Sequence, residues 1–435
     1  MQLYSTKNKS KLFSLEEAVV KGLPDDNGLF MPVKIPLLSE SFFQQMQQIS
    51  FTDIAYTVAQ TLIGDSVPND ELKKIVQRAV NFQAPVKEIE KNIYVLELFH
   101  GPTLAFKDFG ATFMSGLLQY FVSKRNKKVT ILVATSGDTG GAVAAGFYDV
   151  EGIEVIILYP SKKVSGLQEK QLTTLGKNIT ALEVKGTFDD CQHLVKKAFL
   201  DQEINQHLKL TSANSINIAR LIPQTFYYFN AVAQLKNINQ KIVFCVPSGN
   251  FGNLTAGLIA KRMGLPIYQF IAATNVNDIV PSYLLNGIFS PKASVATISN
   301  AMDVGNPSNF YRMMDLYDND LKNISEEIVG ISITDEETKQ TIKEVFQDHH
   351  YTLDPHGAIG YCALKKYAET NSFDKAIFME TAHPAKFPEV VEEVTNRKIE
   401  LPQQLAALIP KTKSSVLMDK DFKYFKNYLL TRNSP

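Results

Sequence analysis

Several short segments carry side chains that could do chemistry together. ELFHGPTLAFKDFG sets Lys107 among Leu104, Ala105, Phe106 and Phe109. Apolar company disfavours the ammonium form, so the amine becomes available as a base or as a nucleophile that forms an imine with an aldehyde. VATSGDTGGAVAAGF places Thr135, Ser136, Gly137, Asp138 and Thr139 ahead of a helical stretch, where hydroxyls and amides can surround a carboxylate or phosphate. The same residue types also simply cap helices, so this loop alone leaves both uses open.

VPSGNFGNLTAGL offers Gly249, Asn250, Phe251, Gly252 and Asn253 before another helix, directing successive N–H groups at a phosphate on its positive end. It lacks the ending of a Walker loop, and GxGxxG occurs nowhere in the chain. A phosphate held with neither lysine nor magnesium suits a cofactor monoester that stays bound. In NSINIAR, Asn214 and Asn217 precede Arg220, whose guanidinium can fork a second anion or pair with a surface acid. METAHPAKF presents the Thr381 hydroxyl after an apolar run. His100, His356 and His383 sit beside Gly or Pro without metal-ligand spacing, which gives them structural or hydrogen-bonding roles and leaves no metal site.

Such loops need strands and helices to position them. Short apolar runs predict buried strands at Ile93–Leu98, Val129–Ala134, Ile153–Leu158, Ile179–Val184, Ile242–Val246, Ile267–Ala272 and Ala376–Met379. Helical spacing lies between them at Phe109–Val122, Phe188–Leu200, Ile216–Leu235, Leu254–Met263 and Glu336–Phe346. The alternation predicts an α/β fold of two open parallel-sheet domains, with ligands at the carboxyl ends of the strands. Residues 1–92, with helical spacing at Ile54–Ile63 and Leu72–Val80, form a mainly helical N-terminal cap. The expected division gives 93–125 and 212–435 to a large cofactor-binding domain and 126–211 to a small α/β domain. Phe422, Phe425 and Leu429 mark a terminal amphipathic helix that docks on the body.

Composition narrows the function classes. The 435 residues suffice for two or three domains with a cleft between them, and 45 basic against 45 acidic residues remove the footprint of a nucleic-acid binder. The 3 cysteines, Cys191, Cys245 and Cys362, lie too far apart in sequence for a CxxC pattern and fit reduced thiols. No apolar stretch is long enough for a membrane span, and MQLYSTKNKSKLF has no apolar run behind its lysines, so a cytoplasmic protein is expected.

Taken in order, GPTLAFKDFG, ATSGDTGGA, NSINIAR, PSGNFGNLTAG and ETAHPAKF, together with YSTKNKS and PDDNGLFMP near the start, resemble the threonine synthase family. The likeness spans nearly the whole chain, and five motifs in register are far more specific than any one. It implies the fold-type II architecture of the tryptophan synthase β subunit. The implied activity is that of a carbon–oxygen lyase acting on phosphate: O-phospho-L-homoserine and water give L-threonine and phosphate, the final step of threonine biosynthesis. The implied cofactor is pyridoxal 5'-phosphate, held by Lys107 as a Schiff base.

By the same resemblance, Gly249 to Asn253 cradle the cofactor phosphate, Thr381 faces its pyridine nitrogen and Asp138 lies near its phenolic oxygen. Thr135, Ser136, Gly137, Asp138 and Thr139 meet the substrate carboxylate, while Asn217, Arg220 and Lys163 hold the substrate phosphate. The implied course is that substrate amine displaces Lys107, whose freed amine removes the Cα proton before phosphate leaves Cγ and water adds at Cβ. The partner is a small molecule, with no nucleic acid and no membrane, and the chain is a monomer or homodimer. A serine or threonine dehydratase of the same fold is the rival enzyme, disfavoured by NSINIAR and the N-terminal cap. A binding protein without catalysis is the rival from another class, disfavoured by the retention of Lys107 and every loop.

Overall fold

This computed structural model describes residues 1–124, 128–236 and 240–432. Its strands are β1 (Gln2–Ser5), β2 (Asn8–Ser14), β3 (Phe30–Pro32), β4 (Val86–Glu90), β5 (Ile93–Glu97), β6 (Val129–Ala134) and β7 (Ile153–Pro160). They continue as β8 (Ile179–Lys185), β9 (Leu210–Ser212), β10 (Ile242–Pro247), β11 (Gln269–Thr274), β12 (Ile328–Ser332), β13 (Lys375–Glu380) and β14 (Val416–Asp419). All seven apolar runs are strands. Both faces of such a strand are covered, so β6, β10 and β13 are buried along their whole length.

The described strands form three sheets. The larger parallel one runs β12-β11-β10-β13-β5-β4, with β4 alone antiparallel, and the smaller runs β14-β8-β7-β6-β9 with every pairing parallel. After β5 the chain crosses from the large sheet to the small one through the helix Lys107–Ser123. It returns through helical segments spanning 218–233, and ends on the small sheet. Residues 416–431, grouped above with the large domain, therefore lie elsewhere: β14 pairs with β8, and Phe425 and Leu429 pack into the small sheet's core. The expected boundary at 125/126 lies outside the described residues.

Two further departures have local causes. The helical spacing across Ile216–Leu235 is not one helix, because Pro223 has no N–H to continue the ladder and imposes a 3-10 turn at Ile222–Thr225. The N-terminal region holds the expected helices, Phe51–Ile63 and Asn69–Ala79, but also the antiparallel sheet β2-β1-β3. That sheet is recruited by remote contacts, chiefly the buried Arg312, whose Nε donates to Phe30 O at 3.1 Å.

Candidate active site

The carboxyl ends of both parallel sheets open into one cleft of ≈ 770 Å³. Lys107 begins its helix there. The preceding segment is laced to the end of β13: Phe106 N–H donates to Thr381 O at 2.9 Å, His383 N–H donates to Leu104 O at 3.1 Å, and Ala105 bridges Ala382. Leu104 takes a left-handed φ of 57°, a conformation that non-glycine residues adopt only when surrounding bonds impose it. The lacing sets Lys107 beside Thr381 on the cleft wall.

Burial lowers the Lys107 pKa below the ordinary lysine value; nearby Asp138 opposes this, while Lys386 and Arg220 add to it. Its Nζ lies 3.9 Å from Asp138 Oδ2. Asp138 starts the helix Asp138–Phe147 and is 4% exposed. Its burial disfavours ionisation, but Lys386 and Lys107 outweigh that and hold the carboxyl well below its usual range. Gly137 is needed before it, since φ is 147° and a Cβ would stand 2.7 Å from the Gln168 side chain. Thr135 Oγ1 accepts from the N–H groups of Gly137 at 3.0 Å and Gly140 at 2.8 Å, fixing the loop.

Lys386 was not among the residues singled out from sequence. It is 0% exposed, and its Nζ lies 2.5 Å from Asp138 Oδ1 and donates to Thr103 O at 3.0 Å. Because Asp138 follows β6 and Lys386 follows β13, this ion pair joins loops from the two sheets. The only local sign was an AKF triplet that could equally lie on the surface.

Across the cleft, the loop after β10 reaches the helix Gly252–Arg262 through Phe251, again left-handed with φ 58°. Asn253 Oδ1 accepts from Ser248 Oγ at 2.7 Å and its Nδ2 donates to Pro247 O at 2.9 Å, while Asn250 Nδ2 donates to Ser215 Oγ at 2.5 Å. These bonds hold the turn that opens the helix, whose first N–H groups have no intrahelical acceptor.

Lys107, Thr135, Ser136, Asp138, Thr139, Arg220, Gly249, Asn250, Phe251, Gly252, Asn253 and Thr381 all line the cleft. Gly137 lies behind it as the helix cap. Asn217 is a correction: its Nδ2 donates to Val19 O and Ser212 O, both at 3.0 Å, and its Oδ1 caps Ala219. Its polar atoms are committed to the fold, away from the cleft. Lys163 lies exposed on the turn after β7 and outside the cleft lining. Arg220 lines the cleft: 3% exposed, it donates through Nη1 to Ala213 O, and its buried Nε has no partner among the described residues. Burial brings its pKa down to about 10.

The residues fit pyridoxal phosphate. They supply a buried amine of lowered basicity, an open helix start for a phosphate, and the orphaned Arg220 Nε for another anion. The profile described as "Pyridoxal-phosphate dependent enzyme" matches residues 77–379, "Threonine synthase N terminus" matches 2–80, and "Threonine synthase, C-terminal" matches 357–429. The chain is 47% identical to the threonine synthase of Escherichia coli K12 over 407 residues, 93% of this chain and 94% of that one. The crystal structure of Escherichia coli threonine synthase superposes with TM-score 0.93 at 44% identity, covering 100% of both chains. The structure of PLP-bound threonine synthase from Brucella melitensis gives TM-score 0.94 at 34% identity, again over 100% of both.

Fold and site thus define a pyridoxal-phosphate-dependent enzyme of fold type II, with pyridoxal phosphate as its cofactor. Within that class, the chain belongs to the threonine synthase family, lyases of threonine biosynthesis. Among the described residues no helix is long and apolar enough to cross a membrane.

Proposed function

We propose that the cleft converts O-phospho-L-homoserine and water to L-threonine and phosphate. The observation that carries this reading is the gathering of three basic side chains in one region of the site, Lys107 and Lys386 beside Asp138 and Arg220 near Asp108, which suits a substrate with two anionic groups. When bound, pyridoxal phosphate supplies an electron sink for the charge left on substrate carbons as protons depart.

The chain's own residues do the rest. Lys107 holds the cofactor, and its amine, whose pKa burial lowers, takes the Cα proton once released. The N–H groups from Gly249 to Asn253 hold the cofactor phosphate, and Thr381 offers its hydroxyl to the ring. Thr135, Ser136 and Thr139 orient the substrate carboxylate, and Arg220 holds the phosphate that leaves Cγ. Asp138 keeps two neighbouring cations in balance. We further take the two parallel sheets as the cores of two domains, with 416–431 assigned to the smaller. We also take the protein to be cytoplasmic, as a monomer or homodimer, in keeping with three free cysteines and a site built from one chain.

Purified protein given pyridoxal phosphate and O-phosphohomoserine should release phosphate and form threonine in equal amounts, with a visible absorption band. Lys107→Ala should lose all three. A band without threonine would move the substrate assignment to a dehydratase.

A further inference from the structure

Beneath the cleft floor lies a chain of acidic groups and one imidazole that the roles above leave unused. Glu97 and Glu380 end β5 and β13 as register neighbours, and both are buried. Asp354, 0% exposed, caps the helix Pro355–Ala368, and its N–H donates to Glu380 Oε1 at 2.5 Å. The following turn admits only glycine at 357, since a Cβ there would lie 1.4 Å from Glu380 Oε2. Burial first, then the neighbouring Asp354 charge, push the Glu380 carboxyl well above its usual range, so it stays neutral.

The Asp354 carboxyl is committed to His356. Asp354 Oδ1 accepts from the His356 backbone N–H at 2.7 Å and pairs with the ring Nδ1. Phe387 packs edge-on against the ring with centroids 5.1 Å apart. His356 is 2% exposed and lines the cleft, and its Nε2 is buried with no partner among the described residues. Besides Asp354, the ring lies within electrostatic reach of Asp138 and of Asp303, the latter on the segment that follows Ser299.

A carboxylate on Nδ1 fixes the tautomer with the proton there, which leaves Nε2 as a lone-pair acceptor. An orphaned acceptor in a buried, cleft-facing ring is satisfied when a bound molecule brings a donor. We propose that His356 Nε2 is a contact atom of the site, accepting a hydrogen bond from the molecules held over Lys107 and taking up, then returning, one proton there. Asp354 is its positioning residue, and neutral Glu380 keeps a second negative charge away from the pair. The proton moves from a donor on the bound molecule to Nε2 and back, so no co-reactant is needed. The inference rests on the cofactor reading above.

Histidine-selective 15N NMR tests it on protein stripped of cofactor, then after pyridoxal phosphate is restored, with His356→Asn identifying the resonance. The expected result is a buried imidazole protonated on Nδ1 whose Nε2 signal moves as the visible band forms. His356→Asn should bind the cofactor roughly tenfold more weakly, as for one lost hydrogen bond. Asp354→Asn should move the proton to Nε2. If His356→Asn fails to fold, His356→Gln identifies the resonance in its stead: a band with an unmoved Nε2 overturns the proposal and leaves the role of Lys107 standing. If no band forms, both fall.

Discussion

On the wall after β10, the polar groups are neutral and already committed. Asn253 is tied to Ser248 and Pro247, and Asn250 to Ser215, so the helix start is held by bonds whose strength does not depend on pH. On the wall around Lys107, Lys107 and Lys386 flank Asp138, and the buried Asp108, its carboxyl bonded by Thr103, lies near Arg220. A neutral wall can hold a permanent dianion through oriented amides at small desolvation cost. A charged wall must remain balanced when its amine releases or gains a proton, which is what a proton-transferring lysine requires.

Breaking the balance should have the largest effect. Asp138→Asn leaves the fully buried Lys386 ammonium without its partner, and a loss of roughly 3–5 kcal/mol in urea unfolding is expected. Adding Lys386→Met in the same chain should restore most of it; a double variant no better than the single one would show that the pair is not the source.

The charged wall should also show itself in pH. Burial raises the Asp108 pKa to about 6, so its contribution is full below the unfolded carboxyl value and is lost as pH rises through about 6. Burial lowers the His383 pKa to about 4, so its contribution is full above the unfolded imidazole value and is lost as pH falls toward about 4. The slopes oppose between those limits, each worth about 3 kcal/mol at 1.36 kcal/mol per pH unit, less for the part-exposed His383. Relative to wild type, Asp108→Asn should gain about that amount from pH 4 to 6, and His383→Asn should lose less on acidification. Urea midpoints that shift equally at every pH would contradict the buried-charge account.

A neutral-wall substitution sharpens the contrast. Asn253→Ala should cost about 1–3 kcal/mol and weaken pyridoxal phosphate binding, with the same offset at pH 5 and pH 8. The smallest effect belongs to Lys163→Ala, expected within about 0.5 kcal/mol of wild type and with unchanged KM. A tenfold rise in KM would return Lys163 to the site.

Legibility followed locality. The glycine-rich turn at 249–253, the capping loop at 135–139 and Lys107 in its apolar setting are written into contiguous residues, and the cleft uses them where the strand pattern places them. Polarity in a motif does not reveal which atoms the fold has already committed, and the Asn217 amide is consumed by the Val19 and Ser212 carbonyls. Lys386 and Arg312 gave no clear local signal, and His356 only its place between Pro and Gly, because each acquires its role from segments remote in sequence.

The sequence by itself determined the strands, their loops at carboxyl ends and the family to which those loops belong, since hydrophobic period and turn chemistry act over a few residues. The tertiary structure alone decided which charges would be buried and with whom. A lysine at 386 or a histidine at 356 costs nothing in an extended chain, where water solvates it. Its meaning is set when folding removes that water and brings Asp138 or Asp354 to take its place.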